Sequence, residues 1–176
     1  MRRKKYLSYA CVVLILLIIV LAFYIKDKAN INRKEMSPIT IINAEADSQH
    51  ITRPVSYLWD ENTENTFWSS DERGKSTTEE TVVLHLKEAK PVCLVELYPC
   101  IIEEQVSYFP KDFTISVSAD GEEWKDVCTQ KEYVATGKEK QVFSFQPQAD
   151  IKYVKLQMKN DSSYIRLSEV IIYATK

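Results

Sequence analysis

Glycine is scarce in this chain, and its scarcity excludes several classes of enzyme. Only Gly74, Gly121 and Gly137 occur among the 176 residues. A phosphate-binding loop or a dinucleotide-binding turn needs several closely spaced glycines, so neither motif is present. The Gly-x-Ser-x-Gly and His-Glu-x-x-His motifs are also missing from the sequence. We therefore predict that the chain is not an enzyme.

Histidine and cysteine are too few and too dispersed for a zinc site. His50 and His85 are the two histidines, and His85 lies in an apolar run that predicts a strand. Cys93, Cys100 and Cys128 are separated by seven and by twenty-eight residues, which is not the paired Cys-x-x-Cys spacing that zinc sites use. A disulfide between Cys100 and Cys128 and a set of free thiols both remain open.

A long apolar run occurs near the N-terminus, at residues 6–25. Its 20 residues, at about 1.5 Å each, span the roughly 30 Å hydrocarbon core of a bilayer. Four basic residues precede the run, which predicts a cytoplasmic segment 1–5, a transmembrane anchor 6–25, a polar linker 26–36 and an extracellular domain 37–176. A cleaved signal peptide is the alternative, but no small-x-small cleavage pattern follows the run. The predicted location is therefore the cell membrane, with a single pass.

The near-neutral total charge conceals an acidic domain. Residues 37–176 carry 15 of the basic and 23 of the acidic residues, a net charge of about −8. Such a domain repels polyanions, so nucleic acid and anionic membrane surfaces are poor partners. Neutral glycans remain compatible with this charge, and the sequence predicts a neutral or weakly charged ligand.

Alternating apolar and polar residues predict that residues 37–176 are all β. Residues 113–118 and 154–158 alternate strictly, and shorter apolar runs cover 82–86, 93–98, 141–145 and 170–173. Turn dipeptides separate these runs, at Lys90-Pro91, Tyr98-Pro99, Phe109-Pro110, Asp120-Gly121 and Thr136-Gly137. Many short strands joined by turns predict an antiparallel two-sheet sandwich.

Four segments in this order resemble the F5/8 type C, or discoidin, family. They are residues 60–68, 109–113, 118–124 and 167–173. The resemblance covers about residues 38–175 and implies a discoidin-like jelly-roll β-sandwich, similar to galactose-binding-like carbohydrate-binding modules. It also implies a binding module rather than a catalyst. In that family Trp68 and Trp124 correspond to core tryptophans, and we expect Phe109 and Phe113 in the core as well.

The resemblance further implies a structural calcium ion, held by Asp60, Asn62, Thr66 and Glu169. Calcium takes six to eight oxygen ligands, and two carboxylates, a hydroxyl and backbone carbonyls can supply them. The family's usual Asp-Gly pair is Asp60-Glu61 here, and the loop is one residue longer than is common. A metal-free loop, with Asp60 and Thr66 bonded to the backbone, is the alternative.

Family ligands bind at the loops of one end of the sandwich, on aromatic platforms flanked by hydrogen-bonding side chains. The matching candidates in this sequence are His50, Arg53, Tyr108, Asn160 and Tyr164. The family's common Pro-Arg pair is Pro99-Cys100 here, which puts galactose specificity in doubt. The expected function is a membrane-anchored module that binds cell-surface or environmental carbohydrate. A surface protein-interaction or adhesion scaffold with the same fold is the alternative.

Overall fold

The computed structural model describes residues 35–71 and 77–176. The predicted anchor at 6–25, the segment 1–5 and all but the last two residues of the linker 26–36 lie outside the described residues. Within the described residues, no helix has the length and apolar character needed to cross a membrane. Residues Met36–Lys176 form one compact unit.

The described part of the chain consists of strands, with one short 3₁₀ helix at Val55–Trp59. The strands are β1 Met36–Ile39, β2 Ile41–Ala46, β3 Trp68–Ser69, β4 Thr78–Pro99, β5 Ile101–Ile102, β6 Gln105–Val106, β7 Asp112–Ser118, β8 Lys125–Gln130, β9 Gln141–Asn160 and β10 Arg166–Thr175. All strand pairs are antiparallel, in the order β1-β10-β4-β9-β7-β8. Strand β2 also pairs with β4, β3 pairs with β10, and β5 and β6 form a separate hairpin.

Two long strands join the two layers of the sandwich. The first half of β4 pairs with β2 and with the second half of β9, whereas the second half of β4 pairs with β10 and with the first half of β9. The predicted turn at Lys90-Pro91 is therefore wrong, because β4 continues through it. The β4–β9 register shifts between His85 and Leu94, and such irregularities let a strand bend between layers without ending. The predicted all-β sandwich is confirmed.

The core fills the space between the layers. Leu84, Leu97, Ile115 and Leu156 are fully buried, and they come from three different strands. The alternation predicted for residues 113–118 is confirmed for Phe113, Ile115 and Val117, although Ser116 and Ser118 are also buried. Burying one such side chain contributes about 1.5–3 kcal/mol, so these contacts dominate the stability of the sandwich.

The core aromatics are predicted correctly, with one exception. Trp68 is fully buried, and Phe109 and Phe113 are buried beside it in the same core. Trp124 is only partly buried, and the Lys155 ammonium lies 4.3 Å from the centre of its ring. The prediction that Trp124 belongs to the core is therefore wrong. It precedes β8, the last strand in the sheet order, which pairs on one side only among the described strands.

The predicted turn at Asp120-Gly121 is confirmed. Gly121 has φ +84°, a backbone conformation that glycine adopts at little cost. The Asp120 carboxylate accepts hydrogen bonds from the backbone amides of Glu122 and Glu123, at 2.9 and 3.0 Å. These bonds reverse the chain between β7 and β8.

Candidate functional site

Three separate segments converge on the short strand β3. The Ser69 carbonyl accepts a hydrogen bond from the His50 amide at 2.9 Å, and the Ser69 amide donates to the Arg53 carbonyl at 3.3 Å. On the other side of β3, Ser69 is the strand partner of Arg166. The Arg166 amide in turn donates to the Tyr108 carbonyl at 3.0 Å. Backbone pairing thus brings side chains that are distant in sequence to one end of the sandwich.

The converging side chains form an arginine–aromatic cluster, which we define as Arg53, Phe67, Tyr108, Tyr164 and Arg166. The Arg166 guanidinium carbon lies 4.8 Å from the ring centres of Tyr108 and Tyr164 and 5.5 Å from that of Phe67. The Arg53 guanidinium carbon lies 4.2 Å from the Phe67 ring centre. Both cations therefore stack on aromatic faces, an attraction worth about 0.5–2 kcal/mol each.

The cluster opens to solvent at Tyr108. Its side chain is 42% exposed and its ring centre lies 5.5 Å from that of Tyr164, at 59°. Tyr108 also has φ +53°, which is rare for a bulky residue. Strained backbone of this kind is found most often at functional sites, where the surrounding structure holds it in place.

Four of the five predicted ligand-binding residues lie at this end. Arg53, Tyr108 and Tyr164 belong to the cluster, and the backbone of His50 bridges to that of Arg53. The His50 ring is partly buried, with Nδ1 3.1 Å from the Thr52 hydroxyl. These placements bring the predicted residues together, while their role in binding stays a prediction.

The fifth predicted residue, Asn160, has a different environment. It is buried, and its side-chain nitrogen donates to the carbonyls of Phe109 at 3.2 Å and Tyr164 at 3.4 Å. Asn160 therefore holds the backbone beside Tyr108 and Tyr164 in place. Its amide group is used within the protein rather than presented to solvent.

The sequence analysis missed Phe67 and Arg166. Phe67 lies within the family segment 60–68, and Arg166 lies one residue before the family segment 167–173. Arg166 meets Tyr108 through a backbone hydrogen bond between residues 58 positions apart, which no local pattern predicts. A local signal did exist for Arg166, since it lies two residues after Tyr164.

The buried thiol of Cys100 lies close enough to both arginines of the cluster for their charges to affect its pKa. Burial raises the pKa of Cys100 to about 11, and the positive charges of Arg166 and Arg53 oppose this rise. Cys100 is fully buried, so the thiol stays protonated at neutral pH and carries no charge. Cys93, Cys100 and Cys128 are all free thiols in the structure.

A second site follows the 3₁₀ helix, in the predicted calcium loop. The Asp60 carboxylate accepts a hydrogen bond from the Asn62 amide at 3.0 Å, and the Thr66 hydroxyl donates to the Asn62 carbonyl at 3.1 Å. The Asn62 side-chain oxygen accepts from the amides of Glu64 and Asn65, at 3.3 and 3.0 Å. Glu61 has φ +62°, the conformation that the family's glycine adopts easily.

Glu169, a residue of β10, faces this loop and lies beside Asp60. Its side chain is buried, and its Oε2 has no hydrogen-bond partner among the described residues. Burial, and next the negative charge of Asp60, raise the pKa of Glu169 to about 7, while the backbone amides of Asn62 and Glu61 partly oppose the rise. Two carboxylates facing each other in a buried space are unfavourable unless a cation lies between them.

A calcium ion in this loop would need backbone carbonyl oxygens besides the side chains of Asp60, Thr66 and Glu169. No group of three or more histidine, cysteine, aspartate or glutamate side chains suited to a metal occurs in residues 35–71 and 77–176. Asp60 and Glu169 would supply two carboxylates, and the Thr66 hydroxyl and loop carbonyls would supply the remainder. Asn62 would contribute its carbonyl, because its side-chain oxygen already caps two amides.

Comparison with known proteins identifies the family. The model of the F5/8 type C domain matches residues 41–170. A comparison with curated protein sequences gave no match.

Solved structures share the fold. Similar structures include CBM32-3 from a family 31 glycoside hydrolase of Clostridium perfringens, at 16% identity and a TM-score of 0.65, covering 81% of this chain and 92% of that one. The family 32 module of C. perfringens NanJ, solved in complex with galactose, has 19% identity and a TM-score of 0.61, covering 81% and 96%. The CBM32 of AlyQ, in complex with 4,5-unsaturated mannuronic acid, has 16% identity and a TM-score of 0.62, covering 77% and 97%. Because the family model matches most of this chain, residues 41–170, the chain belongs to the F5/8 type C domain family.

Proposed function

We propose that residues 37–176 form a non-catalytic carbohydrate-binding module whose ligand contacts the arginine–aromatic cluster. The observation that carries this proposal is the cluster itself, where the Arg166 guanidinium lies over Tyr108 and Tyr164 and the Arg53 guanidinium lies over Phe67. Support comes from the fold, which the chain shares with modules solved in complex with galactose and with 4,5-unsaturated mannuronic acid.

The chemistry of the cluster suits a sugar. A pyranose ring has an apolar face that can stack on a tyrosine and hydroxyl oxygens that accept hydrogen bonds from guanidinium N–H groups. A site that stacks one sugar ring and makes a few hydrogen bonds gains little energy beyond the cost of association. A dissociation constant of roughly 10 µM to 1 mM follows, equivalent to about −4 to −7 kcal/mol. Display of many copies on a membrane would raise the avidity.

The proposal is tested with a soluble fragment, residues 35–176. This fragment keeps the whole core and the pairing of β1 with β10, so it contains the entire compact unit. The fragment is applied to a glycan array, where selective retention on a set of sugars is expected. An empty array together with capture of a surface protein would instead favour the alternative function, a protein-interaction scaffold.

We also propose that a structural calcium ion occupies the loop that contains Asp60, Thr66 and Glu169. The orphaned Glu169 oxygen and the facing Asp60 carboxylate support it. When bound, the ion would neutralise the two carboxylates and fix the loop to β10. Its role would be structural, because it would tie the loop to the last strand.

Finally, we propose that residues 6–25 anchor the module in the cell membrane with the module outside. The length of the apolar run and the four preceding basic residues support this topology.

A further inference from the structure

The two arginines of the described residues both lie in the arginine–aromatic cluster. They are Arg53 and Arg166. Elsewhere, the ion pairs between described residues use lysine or His85. Among the described residues, no carboxylate forms an ion pair with either guanidinium. Two positive charges therefore meet at one surface without a neutralising group from residues 35–71 or 77–176.

Most of the donors on these two groups are also unused. A guanidinium has five N–H donors. Arg166 Nε lies 3.4 Å from the Ser69 hydroxyl and Nη1 lies 3.2 Å from the Ser107 hydroxyl. Arg53 stacks on Phe67, and its guanidinium has no hydrogen-bond acceptor among the described residues.

The planar arrangement of the guanidinium donors determines which ligand group fits them best. The Arg53 guanidinium lies over the Phe67 ring and that of Arg166 over the rings of Tyr108 and Tyr164, and the N–H donors lie in the plane of each guanidinium group. A carboxylate has two oxygens in one plane and matches this fork, so its hydrogen bonds are shorter and stronger than those of a neutral hydroxyl. A neutral sugar would accept hydrogen bonds from the donors but would not neutralise the two positive charges.

The arginine–aromatic cluster is positively charged, whereas the net charge of residues 37–176 is negative. The net charge of about −8 on residues 37–176 predicts a neutral or weakly charged ligand. That charge acts over a distance and is screened within about 8 Å in physiological salt, whereas the guanidinium groups would contact the ligand directly. The field of both arginines reaches the interior, where it opposes the rise in the pKa of Cys100.

We propose that the cluster selects a glycan that carries a carboxylate, a uronic acid residue, through Arg53 and Arg166. The proposal rests on the carbohydrate-binding function proposed above and names its ligand class. Tyr108 and Tyr164 contact the sugar ring, and the guanidinium groups bind the carboxylate in their plane. Short or sparsely charged uronate chains fit best, because a dense polyanion meets the acidic remainder of the domain.

The test uses fragment 35–176 and a matched pair of ligands in calorimetric titrations. One is an oligogalacturonate, and the other is the same oligomer after reduction of its carboxylates to primary alcohols, which keeps the rings and linkages. We expect the acidic oligomer to bind at least about tenfold more tightly, equal to 1.4 kcal/mol. The preference should shrink as salt is raised.

Variants assign the preference to the two arginines. Arg166→Gln and Arg53→Gln should each reduce the preference to less than threefold. Lys155→Gln, which removes a cation stacked on an aromatic ring outside the cluster, should retain it. The comparison of the two ligands on the unmodified fragment stands even where an arginine variant fails to fold.

The possible failures are distinguishable. Equal affinity for the acidic and reduced oligomers would overturn the uronate inference and leave carbohydrate binding intact. A tenfold preference that persists when both arginines are replaced would also overturn it. No binding to either oligomer or to any glycan of the array would overturn both the inference and the proposed function.

Discussion

In the proposed site, individual side chains at the loop end would contribute to binding in different ways. Tyr108 and Tyr164 offer ring surface, Arg53 and Arg166 offer charge, and Asn160 holds the loop backbone from beneath. The tyrosines are separated from the main core, whereas Trp68 lies inside it. Binding and stability should therefore be separable by substitution.

Tyr108→Ala and Tyr164→Ala should each weaken sugar binding without unfolding the domain. Each removes ring surface from the cluster, while the buried residues beneath are untouched. Trp68→Ala should instead cost about 3–5 kcal/mol of stability, since this ring is fully buried. Calorimetric titration and denaturant unfolding measure the two effects. Full affinity in both tyrosine variants would show that the ligand binds elsewhere.

Glu169 should make the calcium-free domain less stable as the pH rises. Its pKa is about 7 in the folded state against an ordinary 4.5, so the folded state holds the proton more tightly. Its stabilising contribution is present below pH 4.5 and is lost as the pH rises to about 7. The loss amounts to up to about 3 kcal/mol.

The pH effect is measured by denaturant unfolding in chelator from pH 4 to 8. Glu169→Gln serves as the matched control, because it keeps the side chain's shape and cannot titrate. The difference between the two proteins isolates Glu169 from other carboxylates. A constant difference across this range would contradict the raised pKa.

Hydrogen bonds within the predicted calcium loop determine its local structure. Glu61 lies in the left-handed region that the family's glycine would adopt, yet the hydrogen bonds of Asp60, Asn62 and Thr66 keep the loop's turn. The loop meets β10 at Glu169, so an ion in it would join two elements that backbone pairing does not connect.

Calcium should raise the stability of fragment 35–176. If it binds the folded state alone, a concentration one hundred times its dissociation constant adds about 2.7 kcal/mol. Thermal unfolding with calcium and with chelator measures the difference, and Glu169→Ala should abolish the response. Identical melting temperatures in calcium and chelator would contradict the proposal, as would an unchanged response in the variant.

The elements also show where prediction from sequence succeeds. Alternation at Phe113, Ile115 and Val117 depends on local periodicity, so it was predicted correctly. The continuity of β4 through Pro91 was not, because it depends on bulged pairing with β9. Likewise Tyr108, Arg53 and Tyr164 have sugar-contacting chemistry that the sequence displays. Arg166 joins them through β3, a non-local pairing that the sequence does not display.

The whole molecule combines a predicted membrane segment with an acidic module whose proposed ligand site contains two arginines. The acidic module as a whole repels polyanions at long range, whereas the cluster would attract one carboxylate at contact distance. The two effects are therefore compatible. A membrane position would place many copies side by side and compensate for weak individual sites.

The proposed topology predicts that protease added to intact cells digests the C-terminal module. Residues 1–5 should be protected, since they lie on the cytoplasmic side. An N-terminal tag and a C-terminal tag report the two sides by immunoblot. Recovery of a secreted form that begins near residues 26–36 would establish a cleaved signal peptide instead.

The central claim is that the module binds carbohydrate at the arginine–aromatic cluster, and a glycan array tests it most directly. Fragment 35–176 is compared on one array with Arg166→Gln and with the control Lys155→Gln. The account predicts selective binding to uronate-containing glycans by the unmodified fragment and the control, with the signal strongly reduced for Arg166→Gln. No retained glycan, or an identical pattern for all three folded proteins, would contradict it.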